Sequence, residues 1–367
     1  KSVRVEEYVN FFDYEYASPQ EAAFALYAEA APSPYRKNHL LLRLAVKAKE
    51  VSKAERRPLR LTFVVDVSGS MSSRKRLPLL RKALSMLVDQ LREGDEICIV
   101  AYGSKAKLFL DWTSGLRKAK IKNRIASLRT AGATNAEEGL VMGYSKAVEN
   151  YSAECDNRVI LCSDGVANVG KQGPEEILGQ VEEHSKDGIY LTTLGFGRGN
   201  YSDTMMEKLA NKGNGVYAYV DDEGEARRIF VEDFTSTMLT VGKDAKIQIE
   251  FSPEAVKSYR LLGYENRDVA DEDFRNDKVD AGEIGAGHSV TALYELALND
   301  AMGEKLGTLR LRYQEPQGSR ITEIQEVIGS DCIRGRFEAG SSSYRLAAVV
   351  AQLAEILRKS PYARSRT

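Results

Sequence analysis

The stretch FVVDVSGSM, residues 63–71, carries an apolar run into an aspartate and two serines, with only Val67 and Gly69 as spacers. LRLTFVVD (59–66) reads as a buried strand bounded by a turn. Its end therefore places Asp66, Ser68 and Ser70 where the backbone must change direction. The i, i+2, i+4 spacing lets three oxygen-bearing side chains share one crevice, and Gly69 permits the turn. Hard divalent cations need such oxygens: Mg²⁺ takes six at about 2.1 Å and keeps several as water, so a few hydroxyls and one or two carboxylates suffice. A lone D-x-S-x-S has a chance probability of about 0.1 in a chain this long, so the surrounding pattern has to decide its meaning.

That pattern is alternation. Beyond LRLTFVVD, the strand-like runs are EICIVAYG (96–103), AKLFLDW (106–112), RVILCSD (158–164), IYLTTLGFG (189–197) and GVYAYV (215–220). Between them, Leu77, Leu80, Leu84, Leu87 and Leu91 form one helical stripe. Asn135–Asn150 and Pro174–His184 predict two further helices, the second with Pro174 in its first turn. Ala226, Phe230, Phe234 and Met238 mark a last helix over 222–239. Apolar strands alternating with amphipathic helices predict an α/β domain, doubly wound, mostly parallel and Rossmann-like, over residues 58–240. In such sheets ligands bind beyond the carboxyl ends of the strands, where strand order reverses. Thr134, in the small-residue loop AGATNAEEG, and Asp164, ending RVILCSD, occupy positions of the same kind as Asp66.

The flanks follow a period of two. Ala245, Ile247, Ile249 and Phe251 alternate with Lys246, Gln248 and Glu250, and Val290, Ala292, Tyr294, Leu296 and Leu298 repeat the pattern. TLRLRY (308–313) and LRLAVKAK (42–49) do the same, as half-buried antiparallel strands would. The expected organisation is an N-terminal flanking region of helix and strands (1–57), the α/β domain (58–240), a β-sandwich-like domain (241–330) completed from both flanks, and a C-terminal helical segment (331–367). Leu346, Val349, Val350, Leu353, Ile356 and Leu357 are expected on one side of that last helix, facing a partner within or outside the chain. DVADEDFRNDKVD (268–280) lacks the sixth-position glycine and twelfth-position glutamate of a calcium loop and reads as solvated surface.

Composition is that of an ordinary globular chain, 43% hydrophobic and 29% charged. With 52 Lys and Arg against 53 Asp and Glu, there is no basic surplus to neutralise phosphates, so nucleic acid is not expected as a partner. No apolar run reaches the roughly 20 residues that span a bilayer, and no signal peptide is recognisable from Lys1 onward. Cys98 and Cys162 lie in strand-like runs and read as buried structural thiols; His39, His184 and His288 are scattered and read as structural or solvent-facing.

The segments DVSGSM, GATN and CSDG, in that order over residues 58–240, resemble the von Willebrand factor type A (VWA) family. The resemblance implies a metal-ion-dependent adhesion site, or MIDAS, formed by Asp66, Ser68, Ser70, Thr134 and Asp164. It also implies a Mg²⁺ ion, with Mn²⁺ or Ca²⁺ as alternatives, and a protein ligand whose Asp or Glu carboxylate completes the coordination. VEEYVNFFDYEY, LGFGRGNYSDTMMEKLANKGNGVYAYVDD, LLGYENRDVADEDF and DAGEIGAGHSVTALYE resemble the bacterial YfbK-like branch, in which dedicated N- and C-terminal regions frame the VWA domain. That branch implies an exported or cell-envelope protein, with a lipid anchor in a precursor. On the same resemblance, the last helix of the α/β domain either transmits a ligand-selected change of the site loops or sits in a rigid module.

The expectation is therefore a metal-dependent protein-binding module for adhesion or scaffolding, not an enzyme. A structural scaffold without a metal-dependent ligand is the alternative, and a metal-dependent hydrolase stands behind it. No G-x-S-x-G elbow or Ser, His and Asp arrangement is present, and the five oxygen-bearing residues offer no evident general base. GFGRGN (195–200) does not match G-x-G-x-x-G, and there is no P-loop. Asp66→Ala is expected to abolish metal-dependent capture while leaving the fold intact.

Overall fold

A computed structural model describes residues 3–52, 54–165, 174–197, 203–234, 239–264, 273–276, 282–300, 303–316 and 320–363. The chain divides into two compact units, one formed by residues 1–50 and 241–367, the other by residues 51–240.

The first unit contains α1 (Val5–Val9), β1 (Phe24–Pro32), β2 (His39–Ala48), β9 (Thr240–Phe251), β10 (Val256–Leu261), β11 (Gly282–Gly285), β12 (Ser289–Leu298), β13 (Lys305–Gln314), β14 (Ile321–Gly329) and α8 (Ser342–Leu357). The strands form two four-stranded sheets, ordered β1-β2-β12-β10 and β11-β9-β13-β14, with antiparallel pairings such as Leu42↔Tyr294 and Ile247↔Leu311. Leu42, Leu44 and Leu296 from one sheet meet Leu309 and Ile328 from the other in a common core. This is the two-layer solution for sheets with one apolar face each.

The half-buried reading fails for β2, which is buried along almost its whole length. Leu42, Leu44 and Val46 face the sandwich core, while Leu41 packs among Val5, Val9, Tyr344, Ala347 and Ala351. A helical layer thus covers the second face. Arg43 remains there because Glu29 accepts its Nη2 at 2.8 Å and the Tyr16 ring lies 5.2 Å away. Glu29 also accepts the Ser341 backbone N–H and hydroxyl, each at 2.7 Å, and Ser341 caps α8 by accepting the Tyr344 N–H.

Of the six apolar residues expected on one side of α8, only Val350 is buried within this unit. Tyr344, Ala347, Ala348, Ala351 and Ala354 are buried, whereas Leu346, Val349, Leu353, Ile356 and Leu357 are exposed, Val349 by 61%. Alanines let the helix approach the sheet closely, and the Tyr344 hydroxyl fixes the approach by donating to the Leu41 carbonyl at 2.6 Å. Of the acidic stretch 268–280, all but residues 273–276 lies outside the described residues.

The second unit contains β3 (Leu59–Asp66), α2 (Leu77–Gln90), β4 (Glu96–Tyr102), β5 (Ala106–Ser114), α3 (Lys118–Ala126), α4 (Ala136–Glu149), β6 (Asp156–Ser163), α5 (Pro174–Lys186), β7 (Ile189–Phe196), α6 (Asp203–Lys212), β8 (Tyr217–Val220) and α7 (Glu223–Arg227). The sheet order is β5-β4-β3-β6-β7-β8. Every neighbouring pair is parallel except the β4–β5 hairpin. The expected α/β fold is present, with helices flanking the sheet. All five leucines of the α2 stripe are buried. On the other side of the sheet, α4 approaches through Gly139 and Gly143. A Cβ on Gly143 would stand 2.3 Å from Val64 Cγ2, so only glycine allows this helix-to-strand distance.

Within its described part, the expected last helix is irregular. After α7 the chain widens into a π turn, Arg228–Glu232, closed by the Asp233 N–H on the Arg228 carbonyl at 2.7 Å. Ala226, Phe230 and Phe234 are buried as anticipated; Met238 lies outside the described residues. The four cysteines are free. Cys98 and Cys162 are buried as read, and burial pushes the Cys98 thiol up to about 12. His184 stacks on Tyr144 with ring centroids 4.3 Å apart.

Candidate metal centre

The strand order reverses between β3 and β6, and both of these parallel strands end in the residues singled out from sequence. Asp66 is the last residue of β3, and Asp164 directly follows β6. A crevice beyond the carboxyl ends of adjacent strands at such a reversal is the general ligand site of open α/β sheets.

Four of the five residues are linked there. Ser68 Oγ and Ser70 Oγ are 3.0 Å apart, and Ser70 Oγ donates to Asp164 Oδ1, also at 3.0 Å. Asp66 braces the turn: its Oδ1 accepts the Ser68 N–H and its Oδ2 the Ser163 hydroxyl, both at 2.8 Å. Thr134 is not hydrogen-bonded to these four among the described residues. Its loop is nonetheless docked on theirs, with the Ala131 N–H on the Val67 carbonyl at 2.6 Å and the Gly69 N–H on the Gly132 carbonyl at 3.0 Å.

Small residues make that docking possible. A Cβ on Gly103 would lie 2.1 Å from the Ala131 carbonyl oxygen, and Gly132 has φ +78° against Ser104. Ser104 Oγ accepts the Ala133 N–H at 2.9 Å, and the Gly103 carbonyl accepts the Asn135 N–H at 3.0 Å. Asn135 then caps α4, accepting the Glu138 N–H and donating to its carboxylate.

The electrostatics favour added positive charge. Asp66 is fully buried, and burial raises its carboxyl above the ordinary value; bonds from Ser68 and Ser163 oppose the rise and the nearby Asp164 adds to it. The Tyr102 hydroxyl, also buried, has no hydrogen-bond partner among the described residues, although it approaches Ser163 and the Asp66 charge. Burial likewise drives its phenol well above the usual value.

A hard divalent cation fits this donor set. Neighbouring ligands about 2.1 Å from one octahedral ion lie about 3.0 Å apart, and the Ser68–Ser70 and Ser70–Asp164 oxygen separations both have that value. Among the described residues no three His, Cys, Asp or Glu side chains converge, so hydroxyls have to supplement the two carboxylates. Sequence reading missed Ser163, Tyr102 and Arg76. Arg76 Nη1 lies 2.6 Å from Asp164 Oδ2 and 2.6 Å from the Ser70 carbonyl oxygen. The only signal for it was the basic run in MSSRKRLP after the serines.

Comparison with known proteins agrees with this architecture. A family model described as von Willebrand factor type A domain matches residues 61–235. Models described as "Uncharacterized protein YfbK, C-terminal" and "von Willebrand factor" match residues 236–367 and 1–43. The chain is 36% identical over 388 residues to the YfbK protein of Escherichia coli (strain K12), covering 98% of this chain and 67% of that protein. It is 28% identical over 295 residues to the Synechocystis protein sll0103, covering 78% and 69%. A solved structure, von Willebrand factor type A from Catenulispora acidiphila, aligns with TM-score 0.52 at 15% identity over 92% of this chain and 87% of that one, a likeness of fold. The chain belongs to the YfbK family of von Willebrand factor type A domain proteins.

Proposed function

We propose that the VWA domain is a divalent-cation-dependent protein-binding module whose ligand is an Asp or Glu carboxylate on a partner protein. The observation that carries this reading is the run of oxygens Ser68 Oγ, Ser70 Oγ and Asp164 Oδ1, spaced at 3.0 Å at the reversal of strand order. Ser68 and Ser70 would hold the cation directly. Asp66 and Asp164 would supply charge, directly or through water, and Thr134 would join from its docked loop. A bound Mg²⁺ or Mn²⁺ ion would present positive charge to an incoming carboxylate. The chain's own contribution is a turn fixed by Asp66 and a donor set that is mostly neutral, which leaves much of the ionic charge for the ligand.

Metal and carboxylate should then bind cooperatively, and by linkage each tightens the other. Titration of Mn²⁺ into the chelator-stripped chain, with and without millimolar acetate, measures this. Acetate is expected to tighten Mn²⁺ binding about fivefold or more. An affinity unchanged by acetate would contradict carboxylate capture.

A further inference from the structure

The proposed site contains a cationic side chain that neither the donor set nor the partner accounts for. Arg76 Nη1 bridges Asp164 Oδ2 and the Ser70 carbonyl oxygen, both at 2.6 Å, so it engages two of the residues assigned to the metal. Its place is built into the fold. Arg76 immediately precedes α2, its N–H is tied to the Ser73 carbonyl, and its carbonyl accepts the Leu80 N–H. The side-chain stem lies over Gly197 at the end of β7. A Cβ on Gly197 would stand 2.6 Å from Arg76 Cγ and 2.8 Å from its Nε, and the glycine has φ +87°. The Asp164 side chain is only 9% exposed, so the guanidinium meets a carboxylate largely removed from water. Ion pairs in such surroundings are weakly screened.

We infer that Arg76 is an internal counter-ion of the metal centre, sharing Asp164 with the cation and thereby holding its affinity down. Oδ1 of Asp164 faces Ser70 and Oδ2 faces Arg76, so a cation drawn to Ser70 and Asp164 meets a fixed positive charge on the same carboxylate. Binding of the ion requires the guanidinium either to tolerate that repulsion or to leave Asp164. A centre so balanced stays weakly loaded until a ligand carboxylate adds negative charge. This inference rests on the metal reading of the site and assigns its regulation to one side chain.

The test is calorimetric titration of Mn²⁺ into the chelator-stripped full chain, its Arg76→Gln variant and its Arg76→Lys variant. Gln removes the charge while keeping a stem over Gly197; Lys keeps the charge. Arg76→Gln is expected to bind Mn²⁺ about tenfold tighter than the parent, and Arg76→Lys within about threefold of it. The melting temperature of Arg76→Gln should also rise more on Mn²⁺ addition than that of the parent. Equal or weaker binding by Arg76→Gln would overturn the inference, as would equal tightening by both variants, which would mean that packing and not charge is responsible. Binding by the parent alongside either result leaves the metal reading standing. Absence of saturable binding in all three chains overturns the metal reading and the inference together.

Discussion

Asp66→Asn is expected to weaken Mn²⁺ binding by more than about 100-fold while leaving the melting temperature unchanged or slightly raised. The two halves of this result have separate causes. Changes in groups that only orient metal ligands cost about 10–100-fold in affinity. In the proposed site Asp66 would supply charge as well as orientation, so its loss should exceed that range. Stability is spared because Asn keeps the shape and the bonds: its Oδ1 can accept the Ser68 N–H, and its Nδ2 can donate to Ser163 Oγ. The Ser163 hydroxyl can in turn donate to the Gly165 carbonyl, 3.1 Å away. Burial already disfavours the charged form of Asp66, so removing the charge relieves a cost. Asp66→Ala lacks this compensation at the Ser68 N–H, a buried donor left unmet at about 1–3 kcal/mol, a cost the fold should survive. Titration with Mn²⁺ and a thermal melt of the Asn variant check both halves. Binding within tenfold of the parent would remove Asp66 from the site, and a large fall in melting temperature would make its role structural.

The largest expected loss of stability lies at the other end of β3. Asp95 and Arg56 are buried together, their side chains 0% and 1% exposed. Asp95 Oδ1 accepts Arg56 Nη1 at 2.8 Å and the Leu59 N–H at 3.0 Å, while Oδ2 accepts Arg56 Nη2 at 2.5 Å and the Arg92 N–H at 2.7 Å. Four donors on one carboxylate tie the entry of β3 to the turn before β4. Asp95→Ala would strand a buried guanidinium and two amides, at about 3–5 kcal/mol. For a unit of this size that is a fall of roughly 10 °C in melting temperature. The eight-residue strand separates this cluster from Asp66 by about 20 Å, so Mn²⁺ affinity of the folded variant at low temperature should match the parent. A shift below about 3 °C would show that the pair is not the anchor described.

The sequence exposed the α/β unit because its signals are local. The α2 leucines recur at helical spacing, each parallel strand is an apolar run, and Asp66 and Asp164 stand where such strands stop. What was hidden depended on partners remote in sequence. β2 looked half-buried because alternation cannot show that α1 and α8 cover its second face with Arg43 held by Glu29. Which side of α8 meets the sheet stayed open, because its larger residues mark an apolar side without naming its partner, whereas close approach to the sheet selects the alanines. The π turn after α7 leaves the apolar spacing of Ala226, Phe230 and Phe234 almost undisturbed, so no pattern reports it. Arg76 escaped notice for a similar reason: nothing in MSSRKRLP distinguishes the arginine folded onto Asp164 from its basic neighbours.

Whether the hydroxyls at the end of β3 hold a divalent cation is decided by isothermal titration of the chelator-stripped chain and its Ser68→Ala/Ser70→Ala variant with Mg²⁺, Mn²⁺ and Ca²⁺, acetate being present throughout. Saturable binding at one site is expected in the parent and its loss in the double variant, with both chains folded. Absence of binding in the parent, or undiminished binding in the variant, would contradict it.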